Sequence, residues 1–229
     1  MSAEEFELVP LRGIRRRAAD RLAEAQRIPA FHLTSTVAMG AVLTRKTASP
    51  GTTVTDVIVH ACGRTLVEHR ELNSHFCDDG LRSFRHAAIG LAVNTKKGLV
   101  VPVIRDVDLL SETQVAEQRV LLVDRARRAA LVPEDMAGGT FTISNLGMFG
   151  IDRFDAILNA PQVAILAVGA IRPALVLTGD GDRVCEQPVA DLTLTCDHRA
   201  ADGAAAAEFL AALRQRLETP CDATADSAA

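Results

Sequence analysis

The sequence predicts an α/β domain in which helices flank a mixed β-sheet. Helical segments with one apolar face alternate along the chain with strand-like segments, and several of the strands arrive in hairpin-like runs. That pattern fits a mixed sheet better than a strictly alternating parallel fold. The chain has 229 residues, 48% of them hydrophobic, enough for a sizeable core that needs neither disulfides nor a metal. No internal repeat or low-complexity linker interrupts 5–217. We read 1–229 as a single domain, with its core at about 8–218 and a small polar tail, 219–229, expected to fray.

The first element expected is an amphipathic helix over 11–27, with Leu11, Ile14, Ala18, Leu22 and Ala25 on one face and Pro29 ending it. The stretch 31-FHLTSTVAM-39 alternates and is rich in threonine, which is strand grammar. A polar loop containing Pro50-Gly51 should lead to a second helix over roughly 54–69. The pieces 88-AIGLAVN-94 and 99-LVVPVI-104 read as strands joined by the turn 95-TKKG-98. A third helix should start after Ser111, where Ser111 and Gln114 form a capping box, and run to about Ala130. The segments 140–144, 163–171, 174–179 and 188–196 are strand-like. A last helix from about 203 places Ala206, Leu210, Leu213 and Leu217 on one face.

Composition excludes two classes of partner. With 25 basic and 29 acidic residues mixed along the chain, net charge −4, there is no basic stripe for nucleic acid. The run Arg15-Arg16-Arg17 is followed by Asp20 and Glu24 at helical spacing, the pattern of a solvated helix face. No apolar run is long enough to span a bilayer, so no membrane partner is expected. Five cysteines, Cys62, Cys77, Cys185, Cys196 and Cys221, include no CxxC pair and suit a reducing compartment. We read the chain as soluble and cytoplasmic.

Chemistry concentrates in two stretches. In 195-TCDHRAADGAAAAEFL-210, His198 stands where a strand gives way to a helix, with Asp202 four residues on. Asp202 before a glycine and a helix suits an N-cap. Alternatively its carboxylate fixes the loop, or holds a neighbouring arginine, while the imidazole acts as a base near neutral pH. There is no HRD triplet, glycine-rich loop or DFG, which removes a protein kinase. In 138-GGTFTISNLGMFG-150 a strand ends at Ser144-Asn145 before Gly147 and Gly150. The plain reading is a turn-rich loop; the functional one is a hydroxyl placed to donate to a developing oxyanion.

Together these stretches resemble the catalytic domain of the dihydrolipoamide acyltransferases, the E2 components of 2-oxo-acid dehydrogenase complexes. The resemblance covers about 8–218 and includes 10-PLRGIRRRAADRL-22, 54-VTDVIVHA-61, 98-GLVVPVI-104, 159-NAPQVAILAVGAI-171 and 197-DHRAADG-203. It implies the chloramphenicol acetyltransferase-like fold, a homotrimer and active sites at the subunit interfaces. It also implies His198 as general base, Ser144 as the hydroxyl that steadies the oxyanion, and Asp202 as the carboxylate that orders the histidine loop, with Arg15 as its salt-bridge partner. Acetyl-CoA or another acyl-CoA would be the co-substrate, attacked directly by the acceptor. No metal and no lipoyl group covalently attached to this chain are implied.

The sequence departs from the family pattern at Ala30, where histidine is usual, at Ala38, where aspartate is usual, and in the tail 221-CDATADSAA-229, which lacks the usual leucine-rich plug. No lipoyl domain, subunit-binding domain or Ala/Pro-rich linker precedes residue 10. From these we expect a freestanding acyltransferase, a closed trimer without a shell, acting on a small hydroxyl acceptor such as the primary alcohol of a tetronate in natural-product biosynthesis. The second reading is the catalytic core of a dihydrolipoamide acyltransferase, whose acceptor is a lipoyl thiol on another domain. A non-catalytic scaffold fits poorly with His198, Ser144 and Asp202 all present, and a peptide-synthetase condensation domain needs about twice this length.

Overall fold

The computed structural model describes residues 7–177 and 183–220. Helix α1 (Ile14–Ala25) leads into strand β1 (Ala30–Ala38), helix α2 (Gly40–Ala48) and helix α3 (Val54–Leu66). A hairpin of β2 (Ser74–Cys77) and β3 (Gly80–Ser83) precedes four short strands: β4 (Ile89–Leu91), β5 (Val93–Thr95), β6 (Gly98–Val100) and β7 (Val103–Ile104). Helix α4 (Glu112–Arg127), β8 (Phe141–Asn145), β9 (Ala164–Val168), β10 (Arg172–Leu177), the fourteen-residue β11 (Val184–Asp197) and helix α5 (Gly203–Glu218) complete the order.

The main sheet runs β1-β11-β9-β8-β4-β7, with β10 pairing the first half of β11. β8 lies parallel to both β4 and β9, and the other pairings are antiparallel. The sheet is therefore mixed, as the hairpin-like runs predict. Alternation along the strands gives it two unlike faces. Phe31, Leu33 and Val37 of β1, Leu192, Leu194 and Cys196 of β11, Leu166 of β9, and Phe141 and Ile143 of β8 belong to the main core. Helices α3 and α5 pack there through Val57, Ile58, Phe209 and Leu213. Cys62 and Cys196 are buried in this core, and burial pushes the Cys196 thiol up to about 12, so both serve as small apolar residues.

The opposite face is polar. His32 shares a 2.9 Å hydrogen bond with Thr195, Thr34 shares one of 2.9 Å with Thr193, and Thr36 donates to Asp191 at 2.6 Å. Next to this ladder lies a small second cluster of Ala156, Leu158, Ile165 and Ala167, packed by Phe154.

The capping box at α4 forms as the sequence predicts: Gln114 N donates to Ser111, and Ser111 N donates to the Gln114 side chain at 2.8 Å. The turn at 95–98 also forms, closed by Thr95 donating to Gly98 O at 2.7 Å. Three expectations are corrected. The stretch before Pro50-Gly51 is not all loop, because α2 occupies 40–48; it buries only Val42, too narrow an apolar stripe to announce itself. The hairpin β2–β3 was not expected, and its second strand is exposed throughout. The pieces 88–94 and 99–104 are four short strands, since Pro102 has no N–H to donate and Ala92 N instead donates to Ile143 O of β8. Residues 178–179 of the expected strand 174–179, Cys221 and the polar tail from 221 lie outside the described residues.

Two glycines pin the segment after β8 against the sheet. A Cβ on Gly169 would lie 1.9 Å from Asp152 O, and one on Gly147 would lie 2.7 Å from Gly169 O. Both contacts are with backbone, which cannot swing away. Gly169→Ala should therefore destabilise the fold by about 1–3 kcal/mol, the usual cost of overpacking, measured by urea denaturation. Gly203→Ala, where nothing lies within 4 Å of the added Cβ, is the control and should leave the urea midpoint nearly unchanged.

Candidate active site

β11 carries the chain to His198, and the turn there is held at several points. Asp197 N donates to Val163 O at 2.9 Å, and His198 N donates to Pro29 O at 2.9 Å. The His198 ring lies 4.7 Å from the Phe31 ring, tilted by 52°. His198 is exposed, and among the described residues neither ring nitrogen has a hydrogen-bond partner. The imidazole is thus free to take or give a proton to an incoming group. On either side of it, Arg199 donates to both oxygens of the buried Asp197, through Nε at 2.9 Å and Nη2 at 2.7 Å.

Asp202 N-caps α5: its Oδ1 accepts from Ala205 N at 2.9 Å. Its carboxylate is committed to the helix end, where the partial positive charge of the free N–H groups favours it. Arg15 is exposed on α1, and among the described residues it forms no ion pair with Asp202. Its neighbour Arg16 pairs with Asp20 at 3.2 Å.

Ser144 closes β8. Asn145 then turns the chain, accepting from Gly147 N at 2.8 Å and donating to Thr55 at 3.0 Å. The Ser144 hydroxyl has no partner among the described residues and lines a cavity of about 730 Å³ with Thr53, Asn94, Arg119, Asn145 and Arg127. Arg119 is occupied, donating to the fully buried Asp56 at 2.6 Å. The segment after Ser144 is anchored to the sheet at Asp191, which accepts from Arg153 at 3.1 Å and Arg172 at 2.9 Å. Burial opposes ionisation of Asp191, but the hydroxyl of Thr36 and the guanidinium groups of Arg153 and Arg172 outweigh it. They hold its carboxyl below the ordinary aspartate range.

Within one chain the structure does not bring Ser144 and His198 together. Ser144 pairs with Ala167 of β9, and Ala167 pairs with Thr193 of β11. His198 is five residues further along β11, so it is displaced by about 16 Å along the strands and about 10 Å across them. A base and an oxyanion donor must both lie near 3 Å from the reacting groups. One chain cannot satisfy that with these two side chains.

A family model for the 2-oxoacid dehydrogenases acyltransferase catalytic domain matches residues 3–225, and the chain belongs to that family. It is 39% identical over 223 residues to component 3 of the dihydrolipoyllysine-residue acetyltransferase of the Arabidopsis thaliana mitochondrial pyruvate dehydrogenase complex, covering 93% of this chain and 41% of that protein. It is 36% identical to the corresponding component of Rickettsia bellii, covering 95% of this chain and 54% of that one. The chain thus spans roughly half the length of these relatives, or less. Among solved structures, a probable dihydrolipoamide acetyltransferase of Listeria monocytogenes superposes with a TM-score of 0.90 at 28% identity, covering 97% of this chain and 98% of that one. Azotobacter vinelandii dihydrolipoamide acetyltransferase gives 0.87 at 33% identity, covering 93% and 92%. That structure was determined to establish the role in catalysis of a serine, a histidine and an asparagine, the last two four positions apart. Chloramphenicol acetyltransferase, at 14% identity and a TM-score of 0.55, shares the fold.

These findings bear out the family, the fold and an acyltransferase domain. They overturn the expectation of a freestanding enzyme acting on a small hydroxyl acceptor such as a tetronate alcohol, because the relatives are named as acetyltransferase components of pyruvate dehydrogenase complexes. The physical reason for the error is plain. A histidine base and an oxyanion donor serve thiol and hydroxyl acceptors alike, so the motifs do not encode the acceptor. The choice rested instead on where the chain begins and on its polar tail.

Because Asp202 acts here as a cap, Asp202→Asn should keep the melting temperature close to that of the parent, since asparagine caps as well as aspartate. Asp202→Ala should lose about 1 kcal/mol of stability. Chemical denaturation of the two variants checks this; equal damage in both would assign Asp202 a role that requires its charge.

Proposed function

We propose that this chain is the catalytic core of a dihydrolipoamide acyltransferase, exchanging an acetyl-type group between CoA and a lipoyl thiol carried on another domain. The observation that carries the reading is the separation of Ser144 from His198 in a chain of this family. It is resolved if the site forms between two copies in a homotrimer, one giving the base and the other the oxyanion donor. Exposed apolar side chains support this. Met148 and Phe149 follow Ser144 with 69% and 68% of their surface open, and Ile151 and Ile157 are exposed beyond them. Such a patch suits burial against a second copy.

In that site His198 takes the proton of the acceptor thiol as the sulfur attacks the thioester carbonyl of acyl-CoA. The carbonyl oxygen gains the negative charge of the tetrahedral intermediate, and Ser144 donates a hydrogen bond to it. Collapse breaks the bond to the CoA sulfur, and the leaving thiolate recovers the proton from His198. No acyl-enzyme forms and the base ends neutral. The reverse direction uses the same groups in the opposite order. The chemistry needs acyl-CoA as co-substrate. Asp202 supports the loop through the helix cap, a reading consistent with the asparagine of the Azotobacter enzyme at the same spacing from its histidine.

With acetyl-CoA and dihydrolipoamide, the purified chain should release CoA, and a hydroxymethyl tetronate offered instead should not be acetylated at a comparable rate. His198→Ala should lower kcat by about 10²–10⁴-fold. Ser144→Ala should lower it by about 10²-fold with little change in KM for acetyl-CoA.

A mixing experiment tests where the site lies. His198→Ala and Ser144→Ala chains, each strongly impaired alone, should regain part of the parental activity when unfolded and refolded together, because some mixed interfaces then carry both native groups. If mixed trimers form and stay inactive, the two residues do not share an interfacial site.

A further inference from the structure

We propose that Asp197 and Arg199 form a clamp that positions His198, a role resting on His198 as the general base. The two residues flank the histidine: Asp197 is the last residue of β11, and His198 and Arg199 lie in the turn that follows it, where the chain folds back so that Arg199 reaches the Asp197 side chain. Arg199 donates three times to the Asp197 carboxylate: through its backbone N at 3.0 Å, through Nε at 2.9 Å and through Nη2 at 2.7 Å. This fork-on-carboxylate geometry fixes direction as well as distance, which a lysine at the same place would not do.

The clamp is anchored at both ends. Asp197 is 1% exposed, and its carbonyl accepts from Ala200 N and Ala201 N, closing the turn beneath the histidine. The Arg199 guanidinium lies 4.1 Å above the ring of Phe76, on β2. β2 is itself tied to the segment beside β9, where Phe76 N donates to Pro161 O at 2.8 Å. The otherwise peripheral hairpin β2–β3 thus reaches the site through one cation–π contact.

The backbone at His198 is tied to Pro29 O through its own N–H, but its side chain has no such tie. Its ring has Phe31 on one side and no hydrogen bond at either nitrogen among the described residues, so the direction of the imidazole follows from the backbone at 198. The clamp fixes that backbone from the Asp197–Arg199 side, alongside the bond from His198 N to Pro29 O. Arg199 touches no reacting group in this arrangement; it is a positioning residue.

The test is Arg199→Ala in the full chain, assayed with acetyl-CoA and dihydrolipoamide. We expect kcat to fall by about 10–100-fold, in line with the cost of misplacing a catalytic group by about 1 Å. KM for acetyl-CoA should stay within about two-fold, since no binding contact is removed. Added guanidinium ion at millimolar concentration should restore part of the lost kcat in this variant and none in His198→Ala. Arg199→Lys, which keeps the charge without the fork, should fall between parent and alanine variant at an unchanged melting temperature, and it carries the test if Arg199→Ala does not fold. Parental kcat in the lysine variant, or a loss in the alanine variant that guanidinium does not touch, would overturn the clamp. If the parent chain itself fails to turn over, the proposed function falls, and the clamp is still read from the NMR signals of labelled histidine. Arg199→Ala should then shift or broaden the His198 ring resonance, and an unmoved resonance would refute it.

Discussion

The register of β11 is the constraint on which the rest of this structure depends. Nine residue pairs join it to β1, six to β10 and five to β9. It is the only described strand with three partners. A slip of one residue would turn Leu192, Leu194 and Cys196 out of the core and turn Asp191, Thr193 and Thr195 in, so the register is fixed by the cost of burying those polar groups unpaired. The same register sets where the strand stops, and hence where His198 stands relative to Pro29, Phe31 and Val163.

From that register the two faces acquire different duties. The apolar face buries α3 and α5 and accounts for the fold. The other face holds a polar ladder whose hydroxyls pair with each other or with Asp191, so that Thr193 and Thr195 are buried without being orphaned. Asp191, at one end of the ladder, gathers Arg153 and Arg172 and ties the segment that follows Ser144 to the sheet. Towards the other end, Asp197 gathers Arg199 beside His198. Two buried carboxylates on one strand are thus each paired with arginine, without which their burial would be costly, one beside the segment that follows Ser144 and the other beside His198.

Much of this was legible in the sequence where local rules decide. The capping box at Ser111–Gln114, the alternation of 31–39 and the helix after Asp202 follow from one stretch of chain each, and they appear where the residue pattern puts them. Helix α2 escaped because it buries one side chain, and the β2–β3 hairpin because its second strand buries none. His198, Ser144 and Asp202 stand out in the sequence as candidates, but their arrangement does not. The separation of Ser144 from His198 is a property of strand order, and strand order is not written in any local pattern. Neither is the pairing of Asp197 with Arg199: both residues stand in plain view in the DHR triplet, yet only the turn geometry shows that they hold each other and leave the histidine outside.

A site divided between chains has a consequence for how stability and activity are linked. In a single-chain site, loss of activity on dilution would report unfolding. On the proposed reading each chain would keep its core, its capped α5 and its turn at 197–200 while lacking a complete catalytic pair, so activity would depend on protomer concentration even where folding does not. The exposed Met148 and Phe149 beside Ser144 then have a second meaning. If that apolar surface is the one buried on association, the contact that completes the proposed site would also exclude water from Ser144. In that drier setting a hydrogen bond from Ser144 to a developing negative charge is stronger than it would be on an open surface.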